Sequence, residues 1–174
     1  KVMAGSLKLI QETNVTSGTS AVTLTGIDST FDIYVVYFSN VECSTDNEEL
    51  YFRVTTSGTA DSDSEYDYAM MEFKSYGSYS NSYSTNQTKQ YLTYLGTPSN
   101  EQANGILHLF NFSNASEFSI YTIENVNLNS ISKLSGAQGA GKHTVQEAND
   151  GVSFFMDNGN IDKGKFQLFG IKKD

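Results

Sequence analysis

Gly136, Gly141 and Lys142 in GAQGAGKHT (136–144) have the spacing of G-x-x-x-x-G-K-[ST], the loop whose backbone amides cradle nucleotide phosphates. The next position should carry a hydroxyl that holds Mg²⁺, and it is His143, with Thr144 one place late. A working loop also follows a buried strand and opens a helix whose N-terminus faces the phosphates. Here the preceding NLNSISKLS is a weak strand, and the following TVQEAND is short and breaks at Gly151. VSFFMD (152–157) resembles an acidic partner strand but comes too soon for a crossover helix. The segment reads as a flexible glycine-rich surface loop, and an ATP site is excluded.

The acidic run DSDSEYDYAMME (61–72) places Asp61, Asp63, Glu65 and Glu72 at positions 1, 3, 5 and 12 of a calcium loop. Tyr66 stands where the sharp turn needs glycine, and Tyr66, Tyr68 and Met70 alternate as a strand would. A solvated acidic loop running into a strand accounts for the segment, with incidental Ca²⁺ binding at Asp61 and Asp63 left open. His108 lies inside the apolar run GILHLF, which suits a cross-strand or core-rim role better than general-base work. Cys43 has nothing basic beside it to lower its pKa, and Cys43, His108 and His143 make a poor zinc set. H-E-x-x-H and G-x-S-x-G are both absent. The chain therefore reads as noncatalytic, with no cofactor and no metal.

KSYGSYSNSYSTNQTKQY (74–91) differs in kind. Tyr76, Tyr79, Tyr83 and Tyr91 are set among Ser, Gly and Asn, so rigid amphipathic rings stand beside adaptable hydrogen-bonding groups. The segment is either a surface for a partner, receptor or glycan, or a long solvated connection between sheets.

The elements that must position these residues are strands. FDIYVVYF (31–38) is apolar on both faces, as for a strand in the middle of a covered sheet. LYFRVT (50–55) alternates, and QYLTYL (90–95) has the length of a strand. GILHLFNF (105–112) and FSIYTI (118–123) flank SNAS and read as a hairpin. VSFFM (152–156) and FQLFGI (166–171) make a last pair, with Gly159 and Gly164 as turn residues between them. NLNSISKLSG (127–136) stays open between loop and short strand. No window sustains a capped helical period. The expected architecture is all-β, an antiparallel β-sandwich of jelly-roll type with about eight strands and little helix. It spans 1–174 as one domain, with 1–5 as an N-terminal extension.

The 174 residues suffice for one such domain with a self-sufficient core. Eleven Lys and Arg against 20 Asp and Glu give a formal charge of −9, which argues against nucleic acid and against an anionic membrane surface. A lone cysteine forms no internal disulfide, and no apolar run reaches membrane-spanning length.

AGSLKLIQETNVTSGTSAVTLTGIDSTFDIYVVYFSNV resembles the opening of a group of tailed-phage virion proteins common in marine and cyanobacterial phages. In that group a first strand ends in a Glu-Thr-like pair. A Ser/Thr-rich spacer follows, then V-x-[LF]-T-x-[IL], an Asp/Ser turn and a buried aromatic-aliphatic strand. GVSFFMDNGNIDKGKFQLFGIKK is similar to the group's close, a glycine turn followed by F-x-L-[YF]-G-[ILV]-K. LYFRVTTSGTADSDSEYDY and ANGILHLFNFSNASEFSIYTIEN match its middle strands and hairpin, so the resemblance spans residues 3–174. It implies a noncatalytic jelly-roll module of the virion, assembled in the host cytoplasm, that decorates or cements the capsid. The alternative is a fibre or tail-appendage module that meets a receptor or host-surface glycan. The implied partners are capsid or appendage proteins and further copies of the chain, as a homo-trimer. Phe169 in the terminal strand is expected to be essential for folding.

Overall fold

The computed structural model describes residues 6–97, 100–129 and 131–171; the N-terminal extension read at 1–5 lies outside them. The strands in chain order are β1 Leu7–Val15, β2 Val22–Thr25, β3 Ile33–Cys43, β4 Glu48–Thr56, β5 Thr59–Ala60, β6 Tyr66–Lys74 and β7 Ser80–Gln87. They continue with β8 Gln90–Leu95, β9 Ala103–Phe110, β10 Phe118–Leu128, β11 Leu134–Gln146, β12 Gly151–Met156 and β13 Ile161–Ile171. All pairing is antiparallel, and no helix occurs among the described residues. One sheet has eight strands in the order β1-β13-β3-β9-β10-β11-β6-β7. The other runs β2-β12-β4-β5, with β8 also on β4.

The antiparallel sandwich expected from the alternation is what forms, with more strands than the apolar runs suggested. The extra strands are polar ones. Without β5, β6, β7, β10 and β11, the eight remaining strands pair in nested fashion. First pairs with last (β1 with β13), second with seventh (β2 with β12), third with sixth (β3 with β9), and fourth with fifth (β4 with β8). β10, β11, β6 and β7 extend the larger sheet to one side, and β5 adds a short edge to the smaller one.

The core lies between the sheets because each strand delivers alternate residues inward. Phe154 of β12 meets Phe38 at 5.9 Å, Phe52 at 6.0 Å and Phe166 at 5.0 Å, tying both layers to one aromatic cluster. β10 alternates without a break, burying Tyr121, Ile123, Asn125 and Asn127 while Ile120, Thr122, Glu124 and Val126 face out. Its two asparagines bond across the sandwich to β8. Asn125 Nδ2 donates to the Leu92 carbonyl at 2.9 Å and Asn127 Nδ2 to the Tyr94 carbonyl at 2.6 Å. Tyr121 donates its hydroxyl to Gln90 Oε1 at 2.9 Å. The layers thus close on apolar side chains at one end and on amide hydrogen bonds at the other.

Four sequence expectations change. The glycine-rich segment 136–144 is part of the 13-residue strand β11 and not a loop. Its glycines make room for neighbours: a Cβ on Gly136 would meet the Phe73 ring at 2.5 Å, and one on Gly141 the Tyr121 ring at 2.5 Å. VSFFM and FQLFGI are not a hairpin, since β12 inserts between β2 and β4 while β13 inserts between β1 and β3 in the other sheet. FDIYVVYF buries Tyr34, Val36 and Phe38 in the core, and on its other face Phe31 and Val35 are buried as well, so on that face only Tyr37 departs from the covered strand by being exposed. Phe169 pairs with Val35 on that same outer face, half-buried, so the core role in β13 belongs to Phe166 and Leu168.

Candidate functional site

The four tyrosines do not form one surface. Tyr91 is a correction: it lies in β8, 7% exposed, packed on Tyr51 at 6.0 Å and Tyr94 at 5.9 Å. Burial raises its hydroxyl pKa far above the ordinary phenol range. Tyr79 and Tyr83 are the most exposed of the four, at 75% and 77%. Tyr83 stands on the edge strand β7 opposite Ala69. Tyr76, in the connection between β6 and β7, accepts a hydrogen bond from Asn129 Nδ2 at 2.6 Å.

Two of the four, Tyr76 and Tyr91, line one cleft of about 350 Å³ between β8 and the β6/β11 pair, together with Tyr94, Glu72, Lys74 and Asn129. Glu72 and Lys74 sit two apart on β6 and so share its inner face. Lys74 Nζ is 3.2 Å from Glu72 Oε2, and Ser80 donates to the same carboxylate at 2.9 Å. The Tyr94 hydroxyl is pushed up to about 12, first by its hydrogen bond to Glu49 and then by burial. Aromatic edges, an amide and an ion pair suit a polyhydroxylated ligand. They include no nucleophile activated by a neighbouring base.

A larger feature is the outer face of the eight-stranded sheet. Register aligns its residues in rows. One row runs Leu9, Phe169, Val35, His108, Thr122, Ala140, Ala69 and Tyr83, one residue from each strand. A second includes Tyr37, Ile106, Glu124, Gln138 and Met71. A third joins Ile33, Phe110, Ile120 and Lys142. Leu7, Leu9, Tyr37, Met71, Phe118, Ile120, Val126 and Leu134 are each 37–54% exposed. At roughly 80 Å² apiece these eight leave on the order of 600 Å² of apolar side chain in water. A groove of about 420 Å³ between Tyr37 and Phe73, floored by Ile106 and Val126, gives this face relief. His108 takes the cross-strand place expected of it, its Nδ1 lying 3.4 Å from Thr122 Oγ1.

His143 was missed, because its carboxylate partners are distant in sequence. It is the inward residue of β11 opposite Tyr66, fully buried, with Nε2 2.9 Å from Asp61 Oδ2 and 3.2 Å from Glu65 Oε2. Burial works to raise Asp61, but the Asp63 amide and His143 outweigh it and hold the carboxyl below its usual range. Glu65 is raised, first by burial and then by Asp61 beside it. Asp61 and Glu65 of the calcium-like run therefore converge, whereas Glu72 turns to Lys74 in the cleft. Cys43 is buried, donates to the Thr45 carbonyl, and has its thiol pushed up to about 11 by burial. No family model, curated protein or solved structure matches the chain.

Proposed function

We propose that the chain is a noncatalytic virion structural module that associates with copies of itself, and through them with the capsid surface, by the outer face of its eight-stranded sheet. The observation that carries this is the apolar character of that face. Isolated exposed apolar residues are ordinary, but this much apolar surface on one sheet face stands at the upper limit for monomers and approaches the ~800 Å² per partner of a stable interface. A second copy is the occupant that fits, since the face mixes apolar residues with charges of both signs, Glu12 with Lys165 and Asp67 with Lys142, and so can complement itself about a rotation axis. The formal charge of −9 favours solubility and keeps the module off packaged nucleic acid.

The nested strand pairing is read here as jelly-roll connectivity, in line with the resemblance to tailed-phage virion proteins. That resemblance supplies the homo-trimer and the place in the particle, assembled in the host cytoplasm. Quantitative mass spectrometry of purified particles is the test. A fixed stoichiometric ratio to the major capsid protein is expected, and absence from the particle overturns the reading. A few copies per particle would instead favour the fibre or appendage reading. There the Tyr76/Tyr94 cleft meets host-surface glycan, and Tyr94→Ala would abolish attachment to host cells.

A further inference from the structure

We propose that His143 Nδ1 and the Glu147 carboxylate form a binding site for a borderline transition-metal ion, of which Zn²⁺ is the probe, with Asp61 orienting the imidazole. This goes beyond the assembly role and does not rest on it.

The argument begins with the proton on His143. Asp61 stands 2.9 Å from Nε2, and a carboxylate only accepts, so Nε2 carries a hydrogen; in the neutral ring Nδ1 then presents its lone pair. Nδ1 is buried with no hydrogen-bond partner. The acidic group it faces is Glu147, whose Oε1 lies 3.8 Å away, too far for a hydrogen bond even if Nδ1 were protonated. A buried lone pair aimed at a carboxylate oxygen is unfavourable unless a proton or a metal cation lies between them, and across 3.8 Å a proton completes no hydrogen bond.

The spacing suits such a cation. Zn–N and Zn–O bonds of ~2.0–2.2 Å put two ligands of a tetrahedral ion roughly 3.3–3.5 Å apart, so the pair must close by less than half an ångström. Glu147 follows the end of β11 and its side chain is one-third exposed, so it can make that movement. Thr56 Oγ1 already donates to Glu147 Oε1 at 3.2 Å and holds the carboxylate toward the site. Donor atoms of Asp61, His143 and Glu147 all lie within 4.8 Å of one another.

Charge points the same way. Asp61, Glu65 and Glu147 all lie within 4.0 Å of the His143 ring nitrogens, and among the described residues their salt bridges reach no lysine or arginine. An imidazole with carboxylates suits Zn²⁺, Co²⁺ or Ni²⁺ better than Ca²⁺, which takes six to eight oxygens. The Asp61–His143 contact is then the carboxylate–histidine–metal arrangement that fixes tautomer and ring orientation. The ion would bridge His143 within β11 to Glu147 just past its end, with Asp61 holding the ring from the segment before β6.

The test uses full-length, tag-free protein stripped with EDTA and titrated with ZnCl₂ by calorimetry. One saturable equivalent is expected. Glu147→Gln should weaken it at least about tenfold, and Asp61→Asn by roughly 10–100-fold, the range for an orienting partner. His108→Gln should leave it unchanged. Absence of saturable binding by the wild type, or binding that Glu147→Gln does not weaken, would overturn the proposal. Should a variant fail to fold, the wild type decides through long-range ¹H–¹⁵N spectra of its two imidazoles. A zinc-dependent shift of the buried ring's Nδ1 with Nε2–H retained supports the site, and a shift confined to His108 refutes it.

Discussion

The two sheets turn different surfaces to the outside. On the five-stranded sheet the outward rings of Tyr51 and Phe155 are covered within the chain, while Tyr94 is 43% exposed. Tyr51 stacks on Phe155 at 6.0 Å, Arg53 lies over Phe155 at 4.6 Å, and Lys89 lies over Tyr51 at 3.8 Å. Thr23 and Ser153 share a hydrogen bond beside them. On the eight-stranded sheet Leu7, Leu9, Ile120, Val126 and Leu134 have no such cover. The apolar content of a strand therefore does not by itself mark a contact surface. On the eight-stranded sheet Lys142 covers only Phe118, at 5.3 Å, so under the proposed association the uncovered aliphatic residues are what would mark the contact.

Substitutions at three depths break or sharpen this contrast. The largest effect belongs to neither outer face: Phe154→Ala, between the layers, should cost about 3–5 kcal/mol in urea denaturation, because three aromatic neighbours lose their partner. Next is Asn127→Leu, which leaves the Tyr94 carbonyl and the Thr93 hydroxyl without a bond and should cost about 1–3 kcal/mol by the same measurement. Phe169→Asp and Phe155→Asp then test the faces directly by sedimentation velocity. Under the proposed self-association, the first should give a folded monomer and the second should leave association intact; equal effects would erase the distinction. Arg53→Ala removes one cation–aromatic contact and should cost only about 0.5–1 kcal/mol.

Acidity probes the buried corner. Glu65 is raised by burial and by Asp61, so its ionised form opposes folding at neutral pH, and that penalty lifts as pH falls through its raised pKa. Asp61 is depressed, and Glu42 too, where Lys163 and Gln102 outweigh burial. Both contribute stability above the ordinary carboxylate range and lose it as pH falls through their folded pKa values. Melting temperature should therefore rise slightly on acidification from neutral pH and then fall. Glu65→Gln should remove the rise, as scanning calorimetry can check.

Much of the fold was legible because burial writes itself as alternation. The runs at β3, β4, β9, β10, β12 and β13 were visible as strands, and SNAS as their hairpin turn. β7 and β11 were not. SNSYSTNQ in β7 is an edge strand with little to bury, and β11 is rich in glycine because Phe73, Met70 and Tyr121 occupy the space its side chains would fill. The His143 corner was hidden for a different reason. Its carboxylates come from positions 61, 65 and 147, and only the β6–β11 pairing brings the first two to the third. Tyr91 looked like its neighbours in composition, and strand pairing with β4 alone places it inside.

The nested pairing also sets an order of events during synthesis. β13 lies between β1 and β3, and β12 between β2 and β4, so neither sheet can close until β12 and β13 have left the ribosome. Until then β1 and β3 expose unpaired edges beside apolar side chains, a state prone to pairing with the wrong chain. Folding of this domain should accordingly wait for β13 and be slow, since its decisive contacts join residues more than 150 positions apart, such as Glu12 with Gln167. Its yield in a cell should then depend on how well the nascent chain is sheltered.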